Sequence, residues 1–127
     1  MTNWVLDASA VIAAIRNEPG GEAVKAIYSS AILSSVNASE VVNKLIVQGM
    51  APRAASMSVR NLACEIVDVD VELGLRAGEL WVLTRKKGLS LGDRICLALA
   101  ERENAPAVTS DRAWAELGLD IKVELIR

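Results

Sequence analysis

The sequence predicts an α/β fold, with a mostly parallel sheet covered by helices on both faces. Three observations predict it. Short apolar runs alternate along the chain with stretches of helical periodicity, the pattern of successive βα units. Hydrophobic residues make up 52% of the sequence, yet only three Trp and one Tyr are aromatic and Phe is absent. Such a core is built from Ala, Val, Leu and Ile, which suits helices packed on a buried parallel sheet. Finally, no internal repeat, low-complexity tract or dividing linker interrupts the 127 residues, so residues 1–127 are expected to form one domain around one core.

Residues 3–6 form a short apolar run ended by Asp7 and predict a first strand. In 8–16, Val11, Ile12 and Ile15 fall at helical spacing, and the following Asn-Glu-Pro-Gly-Gly breaks the chain. A second helix is expected over 21–29, with Ala23, Ala26 and Ile27 turned inward, and a strand over 31–34. Asn37-Ala38-Ser39-Glu40 opens the next helix, carried by Val41, Val42, Leu45 and Ile46 and closed at Gly49. Pro52 marks the first turn of a helix to about residue 63, and 65–69 reads as a strand. A long helix is expected over 71–87, stopped at Gly88, its last-turn Arg85-Lys86-Lys87 matching the negative end of the dipole. Ser90 begins a helix whose run Ile95–Ala100 predicts burial nearly all round. A strand over 105–109, a short helix over 112–117 and a last strand over 121–126 complete the chain.

Composition excludes several chemistries. The formal charge of −2 provides no global basic field for nucleic acid. The absence of histidine removes His-based metal sites and any Ser-His or Cys-His pair, and Cys64 and Cys96 stand alone, outside any zinc or redox spacing. No apolar run reaches the ~18 residues of a membrane span. Asp7 interrupts the first apolar run, unlike a signal peptide. A cytoplasmic protein without a membrane partner is the expectation.

Four carboxylates hold the functional signal: Asp7, Glu40, Asp93 and Asp111. Each has a plain structural reading. Asp7 can cap the helix that follows it; Asn37-x-x-Glu40 and Ser90-x-x-Asp93 resemble capping boxes; Asp111 or Ser110 can be an N-cap. Together they differ, because every one lies at a strand end or in the first turn of a helix, and right-handed crossovers place all such junctions on one rim. Four converging acids repel one another and make a poor structural cluster, but they suit a hard divalent cation, Mg²⁺ or Mn²⁺. Helix N-termini on the same rim favour an anion. The combination points to phosphodiester hydrolysis. Without these four, 12 of the 16 acids face 14 bases, so acidity is no argument against an anionic substrate.

Val5-Leu6-Asp7-Ala8-Ser9, Ser35-Val36-Asn37-Ala38-Ser39-Glu40, Leu91-Gly92-Asp93-Arg94 and Val108-Thr109-Ser110-Asp111 resemble, in order and spacing, the four acidic motifs of PIN-domain ribonucleases. The resemblance spans essentially the whole chain and is closest to VapC-type toxins of type II toxin–antitoxin systems. It implies a three-layer α/β/α sandwich with a small parallel sheet. It also implies a metal-dependent endoribonuclease, commonly a homodimer, blocked by a cognate antitoxin that covers the acidic pocket. By position, Asp7 and Asp93 would be the main metal ligands, with Glu40 and Asp111 completing the catalytic pocket directly or through water. Ser9, Asn37 and Thr109 or Ser110 would be supporting hydrogen-bonders. A metal-activated water would attack phosphorus in line and leave a 5′-phosphate and a 3′-hydroxyl.

For the RNA substrate, Arg94 and Arg112 directly follow site acids and are the phosphate-contact candidates, with an ion pair to a neighbouring carboxylate as the alternative for each. Arg85-Lys86-Lys87 is a further basic run, and Trp4, Trp81, Trp114 and Tyr28 are available for stacking or for packing. Ile27, Leu45 and Met57 are candidates for a dimer face or antitoxin groove, against core packing. Two rival classes remain. A receiver or phosphotransfer phosphatase also places Asp after a first strand, but Ser9 stands where D-x-D needs an acid. A PIN-like module that binds RNA or protein without cutting would not need all four acids.

Overall fold

The computed structural model describes residues 2–127. Five strands, β1 (Trp4–Leu6), β2 (Ala31–Ser34), β3 (Glu65–Val67), β4 (Ala107–Thr109) and β5 (Val123–Leu125), form one sheet in the order β3-β2-β1-β4-β5. Every pairing is parallel, with Val5 opposite Ile32 on one side and Ala107 on the other. The central strands are only three or four residues long and buried on both faces. That is why they read as short apolar runs and not as alternating patterns.

Helices fill the two faces. Val5, Ile32 and Ala107 pack on one face against Leu73 and Ala77 of α5 (Val71–Glu79) and Ile95–Ala100 of α7 (Leu91–Glu103). Leu6, Leu33 and Val108, one residue along in each strand, turn to the other face. There they meet α1 (Ala8–Arg16), α2 (Gly21–Ile27), α3 (Ser35–Val47) and α4 (Pro52–Arg60). The expected three-layer α/β/α sandwich is therefore present, and its sheet is wholly parallel. Ile95–Ala100 is buried throughout, as its unbroken apolar run predicts.

Two local expectations are corrected, in the helix over 71–87 and in the inward face of the second helix. The helix expected over 71–87 is broken into α5, a single turn α6 (Trp81–Thr84) and a 3₁₀ turn Arg85–Lys87. Gly74 and Gly78 weaken its interior, the Thr84 hydroxyl donates to the Leu80 carbonyl, and Gly88 closes the segment in the left-handed region. On α2 the inward residues are Gly21 and Val24, with Ala23 and Ala26 exposed. Gly21 sits so close to the Ala13 carbonyl that a Cβ would overlap it, which sets the face α2 turns to α1. Of the apolar residues considered for a docking face, Leu45 is core, Ile27 is part-buried against it, and Met57 is exposed.

Candidate active site

The order in which strands are added reverses between β1 and β4: β2 and β3 lie to one side of β1, and β4 and β5 to the other. Open α/β sheets bind ligands beyond the carboxyl ends of strands at such a switch point. Asp7 follows β1 there and Asp111 lies two residues past β4. The first turn of α7 brings Asp93 to the same rim, and Glu40 reaches it from the second turn of α3, one turn later than expected because Ser34 and not Asn37 is the cap. All four carboxylates line one cleft of about 560 Å³, with Ala8, Ser9, Ile12, Glu18, Lys44, Gln48 and Arg127.

Asp7 is the most buried of the four, at 5% exposure. It caps α1, its Oδ1 accepting from the Ala10 amide at 2.9 Å and from the Ser9 hydroxyl at 2.7 Å. Its Oδ2 accepts from Thr109 Oγ1 at 2.6 Å, a bond from β4 to the end of β1. No cation pairs with it among the described residues. Burial outweighs these three donors, and the negative charge of Asp93 adds to it, raising the Asp7 pKa from 3.8 to about 6.

Asn37 does not open α3. Ser34, the last residue of β2, is the N-cap, accepting from the Asn37 amide at 2.9 Å, so α3 begins two residues earlier than expected. Ser34 Oγ also donates to Asn37 Oδ1 at 2.8 Å, which orients the Asn37 side chain toward α7. Its Nδ2 donates to Glu40 Oε1 at 2.7 Å and to the Gly92 carbonyl of α7 at 3.0 Å. Glu40 is raised from its ordinary value first by burial, then by the charge of Asp93, against the Asn37 bond that lowers it. The capping box Ser90-x-x-Asp93 is formed, with Asp93 Oδ2 accepting from the Ser90 amide at 3.0 Å. Asp111, not Ser110, caps the following 3₁₀ turn, accepting from Ala113. The plain and the functional readings thus coexist: three of the acids cap a helix and still face the cleft.

The hydrogen-bonding candidates separate. Ser9, Asn37 and Thr109 each hold a site carboxylate, whereas Ser110 contributes its backbone amide to Ser9 Oγ at 3.0 Å. Arg94 and Arg112 lie outside the cleft lining. The Arg94 guanidinium donates to the Ala77 carbonyl of α5, and Arg112 is exposed at the start of the 3₁₀ turn. The cations that do line the cleft, Lys44 and Arg127, were not singled out from sequence. Lys44 and Gln48 follow Glu40 at four-residue intervals, a helical-face signal that was available. Arg127 arrives from the last strand and carries no local signal.

The PIN domain family matches residues 4–119. The chain belongs to the PIN domain family. Solved structures share the fold at low identity. The DNA-bound VapBC of Salmonella typhimurium aligns with a TM-score of 0.79 and 21% identity, covering 100% of both chains. VapC20 of Mycobacterium tuberculosis, described as a Sarcin-Ricin loop cleaving toxin, gives 0.73 and 16%, covering 94% of this chain and 99% of that one. A toxin–antitoxin complex from Klebsiella pneumoniae gives 0.72 and 18%, covering 96% and 97%. No curated protein matches the chain in sequence.

The acids of this PIN domain can be tested against a divalent cation. Their donor set is all oxygen, and none of the four pairs with a Lys or Arg among the described residues, whereas Asp70, Glu101 and Glu116 do. Beneath them the Cys96 thiol is driven well above its ordinary pKa, first by burial and then by the charges of Asp7, Asp93 and Glu40. The site therefore carries uncompensated negative charge. Among the described residues, no three acidic or cysteine side chains are arranged to hold a metal ion by themselves. An all-oxygen, negatively charged donor set suits a hard divalent cation, whose remaining positions water and substrate oxygens can fill.

Proposed function

We propose that this PIN domain, residues 1–127, is a cytoplasmic endoribonuclease dependent on Mg²⁺ or Mn²⁺, the VapC-type toxin of a type II toxin–antitoxin pair. The observation that carries the reading is the convergence of Asp7, Glu40, Asp93 and Asp111 in one cleft at the switch point, none of them paired with a Lys or Arg among the described residues. The structural relatives described as a cleaving toxin and as toxin–antitoxin complexes support RNA as substrate and an antitoxin as partner.

In this reading Asp7 and Asp93 hold the cation, and Glu40 and Asp111 orient water and substrate around it. When bound, the cation supplies the nucleophile by lowering the pKa of a water and stabilises charge on the phosphate. Ser9 and Thr109 fix the two oxygens of Asp7, and Asn37 fixes Glu40 Oε1. The N-termini of α1, α3 and α7 face the phosphate with their positive ends. A second reading is a PIN module that binds RNA or protein without cutting, which would use the same cleft but would not need all four acids.

One experiment separates the two. Purified protein freed of antitoxin is incubated with total RNA and Mg²⁺ or Mn²⁺, beside Asp7→Ala, Asp93→Ala and EDTA controls, and the cut ends are sequenced. The nuclease gives discrete cuts with 5′-phosphate ends, lost in every control while circular dichroism shows folded variants. RNA binding without cuts in either metal establishes the non-catalytic module instead.

A further inference from the structure

The acidic end of the cleft repels the polyanion it is proposed to cut, so substrate affinity must come from elsewhere in the same cleft. Its lining holds two cations, Lys44 and Arg127. Lys44 lies one turn beyond Glu40 on α3, about 6 Å along the axis, and Gln48 lies one turn further. Lys44 is exposed and pairs with no carboxylate among the described residues, although Glu40 stands at the helical i−4 position. Gln48 is held by Arg16, whose Nε donates to its Oε1 at 2.9 Å.

Arg127 is fixed by a separate device. Its Nη1 donates to the Pro19 carbonyl at 2.9 Å, and Gly20, at φ +89°, lies so close to Ile126 that any Cβ would overlap the Ile126 carbonyl. The glycine lets the segment after β5 lie against the α1–α2 turn, which carries Arg127 to the cleft. Its carboxylate partner among the described residues is Glu18, 3.5 Å away and about one-third exposed. A pair that long and that exposed is weak, and a phosphate offers the guanidinium a stronger, forked bond.

We infer that Lys44 and Arg127 form a backbone-binding subsite for single-stranded RNA, gripping phosphates that flank the one held at the acids. The inference rests on the nuclease reading for the position of the reacting phosphate. The strand then runs from Asp93 and Glu40 along α3 toward Gln48 and the α1–α2 turn. Because these cations touch phosphates that do not react, they set affinity and leave the chemical step alone. Arg94 lies outside the cleft lining and has no part in the grip.

The test uses Lys44→Gln and Arg127→Gln, with Lys44→Arg as the charge-keeping variant. Lys122→Gln is the control, since Lys122 is exposed beside Ala105 and Pro106, at the sheet edge where β4 begins. Anisotropy of a fluorescein-labelled single-stranded oligoribonucleotide is titrated in EDTA over a range of NaCl, and cleavage is followed separately with Mg²⁺. Each Gln variant is expected to bind several-fold more weakly and to lower the slope of log affinity against log salt by about 0.7 per lost phosphate contact. KM rises with kcat unchanged, and Lys44→Arg restores both readouts. Slopes matching Lys122→Gln in both Gln variants overturn the subsite and leave the two cations to a protein ligand. Intact slope changes without cleavage by the wild type would sink the nuclease reading alone. A wild type that binds no RNA overturns both.

Discussion

Asp7 accepts three hydrogen bonds and pairs with no cation among the described residues, and the balance between those facts is measurable. Its pKa is raised from 3.8 to about 6 by burial. Between those values the folded protein keeps a proton that the unfolded chain has released, so stability falls as pH rises through the window and is level above it. The penalty at neutral pH is about 3 kcal/mol for a shift of roughly two units. Asp7→Asn keeps the Oδ1 acceptor for Ser9 and Ala10 and turns an amide toward Thr109 Oγ1, which has a free acceptor position. The metal-free variant is therefore expected to melt several degrees above wild type at about pH 7, with the gap closing near pH 4. It cuts no RNA, and added Mg²⁺ raises the melting temperature of the wild type only. Scanning calorimetry in EDTA and in Mg²⁺ checks this. A wild type more stable than Asp7→Asn in EDTA at neutral pH would refute the desolvation account.

At the level of elements, the site is made by the approach of α3 to α7, and Gly92 sets how close they come. Asn37 Nδ2 reaches the Gly92 carbonyl, and a Cβ on Gly92 would overlap the Glu40 carboxylate. That carboxylate is the free end of a flexible side chain, so Gly92→Ala is expected to fold, with stability changed by about 1 kcal/mol or less because Ala suits a helix better than Gly. Displacing Glu40 from Asn37 should still cost cleavage roughly 10-fold or more. Single-turnover rates beside urea melts separate the two effects; an unchanged rate would show that Glu40 has no role in the reaction. The same elements show what the sequence made legible. Asp7, Asp93 and Asp111 were readable because each stands where a local apolar run stops or starts. The start of α3 was misplaced because Ser34 serves as both strand end and helix cap, two roles that periodicity cannot separate. The 71–87 helix was read as continuous because its pattern persists through the breaks that Gly78 and Thr84 introduce. Arg127 was invisible because only tertiary packing at Gly20 brings it to the cleft.

The whole molecule poses a different question, since the surface that is not the site is unusually apolar along one stretch. Val71, Leu75, Trp81, Val82, Leu83 and Leu91 are each at least half exposed, on α5, α6 and the first turn of α7. Val71 and Leu75 form one face of α5, opposite the Leu73 and Ala77 that enter the core. Large side chains exposed together in this way are commonly covered by a partner, and a homodimer seated on this stretch gives Leu75→Asp/Val82→Asp a defined outcome. Both positions are open to solvent, so the variant should stay folded, within about 0.5 kcal/mol per site. Sedimentation equilibrium should show a dimeric wild type and a monomeric variant; a monomeric wild type at all concentrations would end the idea. Activity then separates assembly from chemistry. Asp7, Glu40, Asp93, Asp111, Lys44 and Arg127 already meet in the cleft of a single copy. A monomeric variant should therefore cut RNA with the kcat of the wild type, and a lost kcat would mean that the second copy supplies a part of the site that one chain lacks.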